Sequence, residues 1–129
     1  MIPTIATVVD AHPWEEALVH TARAAGLARI RRRCLGPADV EGVVDEVDAV
    51  VLGGDTPWVS APLIAGWSAR TAVVGIVGGS SDPMCRVLAA GGCTAVLPRS
   101  APPTVVLAEI ACAERITPPG PPRGSVLAV

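Results

Sequence analysis

Hydrophobic and polar positions along this chain switch repeatedly between two periods. Ile2 to Val9 is a nearly unbroken β-branched apolar run, the pattern of a strand buried on both faces. From Pro13 to Ala25 the period becomes helical: Trp14, Leu18, Thr21 or Ala22, and Ala25 share a face, and Gly26 supplies a stop. Ala28 to Leu35 predicts a second strand, loaded with arginine. Pro37 to Val47 predicts a short helix with Val40, Val43, Val44 and Val47 on one side. Asp48 to Leu52 predicts a third strand ending at Gly53-Gly54, Ala61 to Ala69 a helix, and Thr71 to Val77 a fourth strand ending at Gly78-Gly79. Asp82 to Ala90 then predicts a helix stopped by Gly91-Gly92, Thr94 to Leu97 a short fifth strand, and Pro102 to Arg115 a final helix with both prolines near its first turn.

Five strands alternating with five helices predict an α/β domain, a parallel sheet with helices on both faces. Right-handed crossovers leave few topologies, and the flavodoxin-like order 2-1-3-4-5 suits five strands best. In such sheets the working site lies at the carboxyl ends of the strands, here Asp10, Gly53-Gly54-Asp55 and Gly78-Gly79-Ser80. The domain is expected over residues 1–116. Thr117 to Gly124, TPPGPPRG, reads as a semi-rigid linker. Ser125 to Val129 is apolar and β-like, and is expected to be the first strand of a following domain.

Composition narrows the function classes. The 129 residues suit one domain. The apolar half is dominated by 21 Ala and 19 Val, all ten basic residues are Arg, and the net charge is -2. That balance argues against general affinity for nucleic acid or anionic membrane. Cys34, Cys85, Cys93 and Cys112 form no CxxC pair, and His12 and His20 lie far from them, so zinc is not expected. The cysteines read as reduced thiols of a cytoplasmic protein. No secretory leader pattern opens the chain, and no apolar run reaches the roughly 20 residues of a membrane span.

Two segments carry a family resemblance. VVDAHPW at Val8 to Trp14 resembles the end of strand one in bacterial response-regulator receiver (CheY-like) domains. AAGGCTAVLPRS at Ala89 to Ser100 resembles the segment around their fifth strand. Receivers accept a phosphoryl group on an aspartate ending strand three. An acidic pair after strand one holds Mg²⁺, a Thr or Ser ends strand four, and a Lys ends strand five; metal and cation offset the charge of transfer between anions. Here Asp10 matches the first acid, but Ala11 stands at the second and Gly53 at the nucleophile. Val77 or Gly78 stands at the strand-four position, and Arg99 replaces the lysine. The resemblance therefore implies the fold and argues against the activity: a pseudo-receiver, not an enzyme, without metal or cofactor. Asp55, two residues beyond Gly53, is the one substitute nucleophile, if a bulge at Gly53-Gly54 carries it toward Asp10. Otherwise it caps a turn before Pro57.

Degenerate domains of this kind are also found in front of MinD/ParA-like P-loop ATPases of the CpaE/TadZ type, which serve Flp pilus assembly and pole or septum placement, and the tail here resembles such a junction. GSVLAV after the Pro-rich tail is similar to the strand preceding their phosphate loop. The resemblance implies a cytoplasmic, pole- or septum-associated module acting by protein contacts, with pilus-assembly or cell-division proteins as partners. A homodimer is expected through the fourth helix, fifth strand and fifth helix, with Val105, Val106, Leu107, Ile110 and Ala111 as a partner-facing surplus of apolar positions. The alternatives are a phosphorylatable receiver and a small-ligand-binding flavodoxin-like module. Asp10-Ala11-His12 also begins the DxHxxG pattern of cobalamin domains, but position 15 is Glu. The glycine pairs read as βα turns at positive φ, and secondarily as anion cradles. Arg29, Arg31, Arg32 and Arg33 read as a charged edge strand. Trp67 reads as core and Trp58 as a candidate partner anchor.

Overall fold

The computed structural model describes residues 2–79 and 81–116. The expected linker and following strand, 117–129, lie outside them, as does Ser80. The elements are β1 (Thr4–Val8), α1 (Trp14–Ala25), β2 (Arg29–Cys34), α2 (Pro37–Val43), β3 (Ala49–Gly53), α3 (Ala61–Ser68), β4 (Ala72–Val77), α4 (Met84–Ala90), β5 (Ala95–Pro98) and α5 (Pro103–Ile116). The strands pair in parallel in the order β2-β1-β3-β4-β5, the flavodoxin-like, CheY-like topology.

Alternation along the central strands sends side chains into two cores. On one face Ala6, Val8, Val50, Leu52, Val73 and Val77 pack against Val40, Val44, Ile64, Trp67 and Leu88. On the other, Ile5, Ala49, Val51, Val74 and Ile76 pack against Leu18 and Ala22 of α1 and Val106, Leu107 and Ile110 of α5. The second core corrects the expected interface. Val106, Leu107 and Ile110 are 4, 4 and 1% exposed, whereas Val105 is 41% exposed; Ala111 is half-buried. Helix α5 touches both α1 and β4, and the wedge so formed needs two adjacent rows of apolar side chains. The surplus over one stripe belongs to the domain's own core.

Two helices differ from their pattern. The periodicity predicts one helix over Pro37–Val47; α2 ends at Val43 and continues as a single 3-10 turn, Val44–Glu46. Three residues per turn keep Val44 and Val47 on the same side, and both are buried. Helix α4 begins at Met84 rather than Asp82. Asp82 instead accepts the Met84 N–H at 2.9 Å and the Gly78 N–H at 3.0 Å, tying the helix start to the end of β4.

Strand β2 forms one sheet edge. Ile5 pairs with Ile30 and Ala6 with Arg32, so Arg31 is the extra residue of a bulge. Arg31 then reaches Glu46 at 2.6 Å and Arg32 reaches Asp39 at 2.8 Å on the α2 side. Arg33 turns to the opposite face, where its Nε donates to Glu15 at 2.9 Å. Glu15 is fully buried and also accepts from the Thr7 hydroxyl.

The turn expectation for the glycine pairs is corrected too. Among the described residues positive φ occurs only at Gly26 and Gly92; Gly53, Gly54, Gly78 and Gly79 have ordinary backbone conformations.

Candidate functional site

The carboxyl ends of β1, β3, β4 and β5 meet at one rim and bring together Asp10, His12, Asp55, Asp82 and Arg99. The Asp10 carboxylate folds back on its own segment. Oδ1 accepts the His12 N–H at 2.9 Å, and Oδ2 accepts the Trp14 indole N–H at 3.0 Å. The four-residue spacing of Asp10 and Trp14 brings the indole of the first helical residue over the strand-end acid.

Gly53 stands at the end of β3, beside that carboxylate. A Cβ there would lie 2.1 Å from Asp10 Oδ2 and 3.5 Å from Trp14. Real Cβ atoms do not approach other atoms so closely, so with Asp10 pinned by two donors the place of a side chain at position 53 is already filled. Ala11 is exposed and supplies no second acid. Val77 is 2% exposed and points into the α2–α4 core. Gly78 contributes only its N–H, to Asp82.

Asp55 does not approach Asp10 through a bulge: Leu52 and Gly53 pair in unbroken register with Gly75 and Ile76. Its Oδ2 instead receives His12 Nε2 at 2.8 Å and Arg99 Nη1 at 3.3 Å. All three side chains are between 32 and 45% exposed. The guanidinium of Arg99 also lies over Gly78, its Nη2 3.1 Å from where a Cβ would stand, beside Asp82. The N–H groups of Gly78 and then Met84, with Arg99 contributing less, hold the Asp82 carboxyl below the usual carboxylate range. Arg99 is thus flanked by two carboxylates. Among the described residues no group of three or more His, Cys, Asp or Glu is placed to hold a metal ion.

Sequence reasoning places Asp10, Gly53, Asp55, Gly78 and Arg99 at this rim, and the geometry brings them together there. It misses His12, noted for the cobalamin pattern, and Asp82, whose position before Pro83 at a helix start was the available signal. Glu15 was missed as well, since nothing in its local pattern marks it as buried. Trp58, read as a partner anchor, is half-buried and packs edge-on to Trp67, with ring centroids 6.0 Å apart and an interplanar angle of 80°.

No protein-family model matches the chain, and no curated protein matches it. Solved structures do. The signal receiver domain of the response regulator NarL from Mycobacterium tuberculosis superposes with a TM-score of 0.72 at 16% identity, covering 88% of this chain and 97% of that one. The response regulator domain of Thermotoga maritima CheB gives 0.73 at 12% identity, covering 92% and 100%. A response regulator protein from Burkholderia multivorans gives 0.66 at 23% identity, covering 87% and 94%. At such identities the likeness establishes the receiver fold. No helix among the described residues is long and apolar enough to cross a membrane.

Proposed function

We propose that this chain is a receiver-like module that takes up no phosphoryl group and acts through protein contacts. One observation carries the reading: the Asp10 carboxylate, pinned by the Trp14 indole and the His12 amide, stands where a side chain at position 53 would have to be. Without a carboxylate there, and with Ala11 in place of a second acid, a hard cation has too little charge to bind. The Arg99 side chain, already flanked by Asp55 and Asp82, is poorly placed to neutralise a transferred group.

The finer reading is a homodimerising or docking domain that places or regulates an attached MinD/ParA-like ATPase of the CpaE/TadZ type. It is supported by the Pro-rich tail and GSVLAV. The contact surface assigned to it is the α4–β5 groove lined by Val77, Cys85, Ala89, Val96 and Pro98, with Val105 on α5.

The competing reading, phosphorylation of Asp55, draws on one observation: Asp55 is 45% exposed with a cation 3.3 Å away. Acetyl phosphate with Mg²⁺, followed by intact-mass measurement, separates the two. An unchanged mass is expected. A phosphoryl adduct mapped to Asp55 would replace the non-phosphorylated reading with a signalling receiver.

A further inference from the structure

A second concavity adjoins the rim. It opens between the start of α1, the ends of β4 and β5, and the start of α5, and its volume is about 230 Å³. Its walls are Trp14, Leu18, Ile76, Pro98, Pro103 and Val106, with Arg99 the only charged side chain among its described lining residues. An apolar cavity of about 150 Å³ suffices to take up benzene. The Trp14 ring is held by its indole bond to Asp10, so the aromatic wall is set before any ligand arrives, which lowers the ordering cost of binding.

The character of the ligand follows from the charges. Apolar walls favour an apolar body. Arg99 lies between Asp55, at 3.3 Å, and Asp82, so its charge is already compensated and an added anion would meet two carboxylates. What the guanidinium offers is N–H: of its five, the bond to Asp55 through Nη1 uses one among the described residues. We propose that this cavity binds a small neutral aromatic molecule whose single hydrogen-bond acceptor, a carbonyl oxygen, takes an N–H of Arg99 while the ring lies among Trp14, Leu18, Ile76 and Val106. The site stands apart from the phosphoryl question, since it uses neither Gly53 nor the Asp55 carboxylate as a reacting group.

The test is titration of the ¹⁵N-labelled full chain with acetophenone, toluene, benzoate and benzylamine. The Trp14 indole resonance is the reporter. Trp58 and Trp67 belong to the opposite core and serve as internal controls. Acetophenone is expected to shift Trp14 saturably with a Kd of about 1 mM or tighter and to leave the other two indoles unmoved. Toluene, lacking the acceptor, is expected to bind about fivefold more weakly, and Arg99→Met to remove that difference. Benzoate and benzylamine are expected to be weaker than acetophenone. Ala101→Leu, which fills the cavity from the segment before α5, is expected to abolish the shift. Ala17→Leu, on the exposed side of α1, provides the same block should Ala101→Leu fail to fold. No saturable shift at Trp14, or equal shifts at all three indoles, overturns the site. Equal affinity for toluene and acetophenone overturns the role of Arg99, and tighter binding of benzoate overturns the neutrality of the ligand.

Discussion

The two edges of the sheet meet the same problem, unpaired backbone facing solvent, in opposite ways. On β2, Arg31, Arg32 and Arg33 each find a carboxylate on a neighbouring helix or turn: Glu46, Asp39 and Glu15. A bulge at Arg31 lets two consecutive arginines serve one face while the third serves the other. On β5 there is no charge at all. Ala95, Val96 and Leu97 are half-buried and Pro98 is exposed, and only shortness and a proline guard that edge. One edge is closed by the chain's own ion pairs. The other is left apolar beside a groove.

Within the charged edge the three pairs are not equivalent, and the largest expected effect separates them. Glu15 is fully buried and satisfies both Arg33 and the buried Thr7 hydroxyl. Its carboxylate also raises the Arg33 pKa, chiefly through their hydrogen bond. Glu15→Ala leaves that hydroxyl without its partner and opens a void, and is expected to destabilise by about 3 kcal/mol. Urea unfolding checks this. A loss no greater than that of a surface pair would mean that the pair is not needed to close the edge.

The apolar edge is sharpened next. If the β5 side is a dimer contact, Val105→Arg on exposed α5 should weaken self-association at least about tenfold while leaving the urea midpoint nearly unchanged. Sedimentation velocity reads both proteins. A wild-type chain that stays monomeric at high concentration removes the homodimer, and an unaltered association constant in the variant moves the contact away from α5.

Burial at the two edges also predicts a pH response. Cys34 ends β2 and Cys93 precedes β5, and burial pushes both thiols from 9.0 up to about 11. Between these values the unfolded thiols have lost protons that the folded ones keep. Their contribution is therefore complete below pH 9 and is lost as the pH rises toward 11. Urea midpoints at about pH 8 and about pH 10 should show the fall, and Cys34→Ala should flatten it. A midpoint independent of pH over this window would show that these thiols ionise freely in the fold.

The smallest effect belongs to the exposed pairs. Arg32 and Asp39 are 50 and 28% exposed, and Arg32→Ala is expected to cost less than about 1 kcal/mol. Its consequence should be a greater tendency to associate through β2, measured by light scattering at high concentration.

How much of this was legible depends on the range over which each feature is decided. The strands, the helices and the order β2-β1-β3-β4-β5 follow from hydrophobic period and crossover handedness, both local or general. Asp10, Gly53, Asp55 and Arg99 reach one rim because any strand-end residue of a parallel sheet does so. Val106, Leu107 and Ile110 were legible as apolar but not as interior, because their fate depends on how α1 and β4 close over α5. Asp82 carried a local signal at a helix start; His12 acquired a role only through Asp55, 43 residues away.

By itself the sequence determined the alternation of elements, the fold class, and the presence of Ala and Gly at positions 11 and 53, since each is a matter of residue type and period. Only the tertiary structure decided that Asp10 fills the space beside Gly53, that Arg99 is shared between Asp55 and Asp82, and that Glu15 of α1 is buried against Thr7 of β1 and Arg33 of β2. These are facts of distance between residues far apart in the chain, and side-chain direction at a strand end is set by the neighbours it meets.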